Sequence, residues 1–186
     1  MTVHTPAKKP KTFDFIHGPM LRSWKTIIVI SMLAYAVLSW LILKNADTSN
    51  LHFRIDITPF LTSALVLKVH VVSALKTFAV GVSLLSGLPT GARIHKQLGW
   101  AWVMTMLSTA VSSFFLIGLN GGHFSWIHGL SAWTVISLPF AVYAARRHDV
   151  KKHSTTMRGM FFGGMVIAGL FSFLPGRMMW HIFFAI

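Results

Sequence analysis

Residues 59–86 read PFLTSALVLKVHVVSALKTFAVGVSLLS, and in these 28 residues only Lys68 and Lys76 carry a charge. About 20 apolar residues suffice to cross a ~30 Å hydrocarbon core. The stretch is therefore long enough to span a bilayer. Four similar stretches flank it, near Trp24 to Leu43, Gly99 to Leu119, Phe124 to Ala145 and Met157 to Leu174. Chain breakers separate them: Gly87, Pro89 and Gly91, then Asn120, Gly121 and Gly122, and finally Pro175 and Gly176. The expected fold is all-α, an integral membrane helical bundle of five transmembrane helices. Residues 1–22 form a cytoplasmic N-terminal tail and residues 23–176 the bundle. Residues 177–186, too short to cross, form an interfacial C-terminal segment.

Composition supports this reading. Of 186 residues, 54% are hydrophobic and 11% charged, and the mean hydropathy is +0.63. The net charge of +13 does not point to nucleic acid, because the cations cluster between apolar stretches instead of lining one face. They suit anionic headgroups of a lipid bilayer instead. With no cysteine, disulfides, iron–sulfur clusters and thiolate-ligated or covalently attached haem are excluded. The first apolar stretch is longer than the core of a signal peptide, and no small-residue cleavage site follows it.

With the N-terminus inside, twelve Lys and Arg fall in cytoplasmic segments and three, Lys44, Arg54 and Arg177, outside. That bias sets the expected topology, with a cytoplasmic N-terminus and an external C-terminus.

Consecutive spans alternate in direction, so four histidines fall into two pairs. His70 and His128 share the outer side, and His95 and His153 the inner. His70 precedes the inner end near Gly87 by 17 residues, about 25 Å at 1.5 Å per residue. It thus reaches the depth at which His128 opens its span. Imidazole is the usual protein ligand of b-type haem iron. Each pair is therefore a candidate metal and cofactor site, for one or two haems b. On the face of His70 lie Ser73, Ala74, Thr77 and Gly81. Ser131 and Ala132 follow His128, and Gly99 follows His95. Such small residues leave room for a flat porphyrin. They also simply pack membrane helices, as the Gly159/Gly163 pair would. Arg93 and Arg158, with Lys96 and Lys152, could meet propionates inside. Lys68, Arg54 and His123 could do so outside. His70 weighs most, since an ionisable residue inside a span suggests function, whereas basic neighbours already account for His95 and His153 as interfacial. His4, His17 and His148 read as incidental. Trp100, Trp102, Trp126 and Trp133 read as an aromatic belt. Met104, Met106 and Met160 read as packing.

Lys76 is a candidate catalytic residue. It falls about 16 Å from the inner end, and the chain has no Glu and only four Asp, none within a span. A charge there needs a partner or water. A haem propionate, a quinone oxygen such as that of ubiquinone, or a snorkelled lipid phosphate would serve. No hydrolytic constellation, phosphate loop or convincing strand is visible.

The stretches IHKQLGW (residues 94–100), FSWIH (124–128), His153 through Met157-Arg158-Gly159, and LFSFLPGR (170–177) resemble a bacterial membrane-protein family, domain of unknown function 2306. The likeness spans roughly the second to fifth spans. It implies a multi-pass protein of the bacterial inner membrane. A looser resemblance is to the di-haem cytochrome b561 superfamily, in which four core helices carry one His each, the first pairing with the third and the second with the fourth. Carried over, His70 pairs with His128 and His95 with His153. The segment Trp126-Ile127-His128-Gly129 is similar to that around the third ligand. His70 sits deeper than a helix-start ligand. The implied role is a transmembrane oxidoreductase passing electrons from a quinol or other small donor, as a homodimer or a subunit of a respiratory complex. The competing expectation is a non-redox membrane protein, either a small transporter, an assembly factor or a lipid-interacting subunit. Histidines and Lys76 would then be polar glue or a proton relay. A divalent-metal site at His95 and His153 is a third.

Overall fold

The computed structural model describes residues 24–46, 51–89, 91–117 and 126–185. The N-terminal tail with His4 and His17, the Asn120–Gly122 breaker, His123 and the Trp126 side chain lie outside the described residues. The helices are α1 (Trp24–Lys44), α2 (Thr58–Leu61), α3 (Leu65–Leu85), α4 (Arg93–Ser113), α5 (Trp126–Arg146), α6 (Val150–Gly159), α7 (Ala168–Ser172) and α8 (Met178–Phe183). A π-helical segment, Met160–Ile167, joins α6 to α7 without a break, so one continuous helix runs from Val150 to Ser172. Two strands of two residues each, β1 (His52–Phe53) and β2 (Phe184–Ala185), pair antiparallel. They are too short for any periodicity to betray them in the sequence.

Two helices are long and apolar enough to cross a membrane, over Leu65–Leu85 and Ile127–Arg146. Only 11% and 33% of their apolar windows are buried, whereas the core helix of a soluble domain is mostly buried. Large apolar side chains point outward from every long helix, among them Leu33, Trp40, Leu65, Leu75, Met104, Ile136 and Phe140. Such a surface is unfavourable in water and neutral in lipid.

α4 lies between α3 and α5, and α6 with its π continuation packs on α5 and back on α3. The four form a closed ring with α3 and α5 on one diagonal and α4 and α6 on the other. α1 sits outside the ring against the π segment and α7, where Tyr35 Oη donates to Phe173 O at 3.1 Å. The ring is filled by Trp102, Met106, Leu138, Ala141, Met160, Phe161 and Met165.

Four helix boundaries differ from the hydropathy reading. α4 begins six residues before Gly99 and stops at Ser113, short of Leu119. The continuous helix begins at Val150 and not at Met157. Residues 59–86 divide into α2 and α3. Hydropathy marks only the apolar part of a helix, whereas backbone hydrogen bonding continues into the polar first turns. At the far end of α4, Ser112 and Ser113 hydroxyls bond back to Ser108 O (2.7 Å) and Ala110 O (2.8 Å), which competes with continuation.

The π segment explains a second difference. Gly159 and Gly163 do not form a packing pair, since a Cβ at either would meet nothing within 4 Å. Gly164 takes that role, where a Cβ would stand 2.8 Å from Met106 Cε. π winding bonds residues five apart and so brings Met160 and Met165 onto one inward face, 0% and 7% exposed. Trp102 is likewise core, at 3% exposed, not part of a belt. It lies against Gly81, where a Cβ would stand 2.9 Å from Trp102 Nε1 and 2.5 Å from the Phe161 ring. Met106 and Met160 pack in the core as expected, while Met104 is 60% exposed.

The C-terminal segment docks on protein. Arg54 N and Asp56 N donate to Phe183 O and Ile182 O at 3.0 and 2.8 Å, α8 packs on α2, and Trp180 and Ile182 are buried. This cap covers the end of the molecule where α3 begins and α7 ends. The opposite end, where α4 begins and α5 ends, carries Arg93, Lys96, Arg146, Arg147, Lys151, Lys152 and Arg158, all exposed.

Candidate functional site: four histidines at two ends of the ring

The ring places His70 on α3 and His128 on α5 toward the capped end. His95 on α4 and His153 on α6 lie at the basic end. Each pair therefore occupies one diagonal and one end.

At the capped end His70 is held by α4. Its Nδ1 lies 3.0 Å from Thr109 O and 3.1 Å from Ser112 Oγ. A carbonyl can only accept, so Nδ1 carries the proton and the neutral ring keeps its lone pair on Nε2. Around it runs a seam of hydroxyls. Ser73 Oγ bonds Ser108 Oγ at 2.9 Å, Thr77 Oγ1 donates to Ser73 O at 2.8 Å, and Ser113 bonds Ser131 across α4 and α5. Ser131 Oγ also donates to Ile127 O at 3.0 Å. His128, 6% exposed, tilts against Phe114 with ring centroids 6.4 Å apart. Most of these hydroxyl protons end on backbone carbonyls, which cannot pass them on. The seam ties helices together. Eleven residues further along the His70 face, about 16 Å toward the basic end, the space that Gly81 leaves is taken by Phe161 and Trp102.

At the basic end the two imidazoles differ. His153 Nδ1 donates to Ala141 O at 3.0 Å, which again fixes the lone pair on Nε2. His95 Nδ1 is buried with no hydrogen-bond partner among the described residues. A Cβ added at Gly99, one turn along, would meet nothing within 4 Å. A buried polar atom without a partner calls for an explanation, and a metal is one. A ring oriented by Nδ1–H on a carbonyl is the arrangement usual for a metal-ligating histidine. The residues of this end could hold a haem iron through His95 and His153, with Arg93 and Arg158 as exposed cations at the same end.

Lys76 stands apart from both pairs. Six residues separate it from His70, which turns it about 240° around the helix at 100° per residue. It is exposed beside Val72, Leu75 and Phe78. Among the described residues the ion pair formed is Arg54 to Asp56 at 3.0 Å, so Lys76 faces the surroundings of the bundle and not its interior.

Three features of these ends were not anticipated from sequence: the π segment, the Ser113–Ser131 bond and His148. His148 has φ 58°, and His148 N and Asp149 N donate to Ala145 O and Ala144 O at 3.1 and 2.9 Å. This is a Schellman closure of α5. Asp149 then caps α6, its Oδ1 accepting from Lys152 N at 3.0 Å. The sequence Arg-Arg-His-Asp carried the signal in its Asp three residues before Lys152. No family model matches the chain, and no curated protein or solved structure matches it either.

Proposed function

We propose that this chain is a membrane-bound b-type haem protein that transfers electrons. Five helices cross the bilayer: α1, α3, α4, α5 and the continuous Val150–Ser172 helix. The basic end faces the cytoplasm of a bacterial inner membrane. The observation that carries the reading is the state of the basic-end imidazoles. His153 is oriented by Ala141 O, and His95 presents a buried nitrogen with no hydrogen-bond partner among the described residues. His95 and His153 would hold one haem, whose iron supplies the one-electron chemistry. The chain's own part is to orient the imidazoles, exclude water through the Trp102–Met160 core and neutralise propionates with Arg93 and Arg158. His70 and His128 would hold a second haem. Lys76, exposed on the lipid side of α3, is placed to meet a quinone arriving from the bilayer, such as ubiquinone.

The test is a reduced-minus-oxidised spectrum with a pyridine-haemochrome assay on protein from haem-sufficient cells. A low-spin bis-imidazole spectrum is expected, and a colourless protein overturns the reading. In the competing non-redox reading the same bonds, His70 Nδ1 on Thr109 O and His153 Nδ1 on Ala141 O, act as glue between helices.

A further inference from the structure

We propose that the exposed face where α4 and α5 meet at the basic end binds the headgroup phosphate of an anionic membrane phospholipid. The proposal rests on the membrane reading and is independent of haem. Arg146, the last residue of α5, lays its guanidinium over the Trp100 ring of α4, 6.0 Å from the centroid. Arg93 and Lys96 stand in the first turn of α4, exposed on the same end. The nearest acidic residue in sequence, Asp149, already accepts the Lys152 backbone N–H. Among the described residues no carboxylate pairs with these cations.

Complementing the negative end of the α5 dipole would account for an arginine at that position. It does not account for its stacking on a neighbouring helix. Stacking pre-orders the planar fork, which matches phosphate oxygens two at a time. Beyond the cations the surface turns apolar along both helices. Trp100 and Met104 of α4 are 51% and 60% exposed, and Phe140 and Tyr143 of α5 are 62% and 57% exposed. A cationic mouth continued by an apolar strip suits a phosphate attached to acyl chains. Free phosphate or nucleic acid would use only the mouth.

The experiment follows thermal unfolding of the full chain in a neutral detergent. Phosphatidylglycerol, phosphatidylcholine or inorganic phosphate is added. Phosphatidylglycerol is expected to raise the midpoint by several degrees, through preferential binding to the folded state, and the other two to leave it unchanged. Arg146→Gln and Trp100→Leu lose most of that shift, while Lys151→Gln, which removes a charge on α6 away from this face, keeps it. An equal shift with phosphatidylcholine overturns the proposal. So does an equal shift with inorganic phosphate, which would indicate a free-anion site, or an equal loss in Lys151→Gln, which would indicate diffuse charge. If Arg146→Gln does not fold, retained phosphatidylglycerol is counted by native mass spectrometry on the wild type and Arg146→Lys. Equal retention overturns the proposal. A chain that stays soluble without detergent sinks the membrane reading before any lipid is added.

Discussion

The capped end and the basic end of the ring each carry two histidines but tie their helices together differently. At the capped end, His70 Nδ1 bonds Thr109 and Ser112 of the adjacent helix, serines bridge three helices, and the C-terminal segment closes over the top. At the basic end, among the described residues, His153 Nδ1 bonds Ala141 O and His95 Nδ1 is buried without a hydrogen-bond partner. Trp102 Nε1 in the core and Trp180 Nε1 in the cap are buried in the same state. Such a group is costly unless something binds there. An imidazole nitrogen can ligate a metal and an indole N–H cannot, so of these three atoms His95 is the candidate.

The sharpest way to break this contrast is to remove one histidine from each end. His95→Ala should abolish the haem absorbance of the purified protein. His70→Ala should keep it and lower stability by roughly 1–3 kcal/mol, as the Ser112 and Thr109 groups lose a partner. Loss of colour in His70→Ala with colour retained in His95→Ala would invert the assignment.

Gly81 tests whether the volume between the ends is closed. Gly81→Ala places a Cβ 2.5 Å from the Phe161 ring and should destabilise the bundle by about 1–3 kcal/mol. Trimming the neighbour in Gly81→Ala/Phe161→Leu should recover part of the loss in thermal unfolding. A neutral Gly81→Ala would mean that Phe161 already moves freely.

A smaller effect probes the turn beneath the basic end. His148 holds a left-handed conformation, which costs a side-chain-bearing residue roughly 1–2 kcal/mol. His148→Gly should raise stability by about that amount, reduced by the extra freedom glycine has when unfolded. Unchanged stability would show that the His148 side chain contributes a compensating contact.

The smallest effect lies at the cap. The Thr58 hydrogen bonds and then nearby Arg54 hold the Asp56 carboxyl below its usual 3.8, and Thr58 N donates to Asp56 Oδ1 at 2.9 Å. A carboxyl held lower in the folded state stabilises above its unfolded pKa, and that contribution fades as pH falls through the folded value. Amide exchange at Thr58 should therefore quicken below about pH 4, measured against amides at the basic end, and Asp56→Asn should remove that pH dependence.

Residue type and order determined much of this protein. Apolar stretches of bilayer length placed α1, α3 and α5 to within a few residues at most boundaries. The alternation of direction sorted His70 with His128 and His95 with His153. These are local or periodic properties, read one helix at a time. The sequence could not say which nitrogen each histidine spends, because that depends on carbonyls 39 residues away for His70 and 12 for His153. Nor could it foresee that π winding would turn Gly164 inward in place of Gly163. The same holds for Trp102, which fills the notch at Gly81, and for Phe53, which pairs with Phe184 across the cap. Side chains that compete for one volume, and hydrogen bonds between distant segments, are settled only when the helices meet.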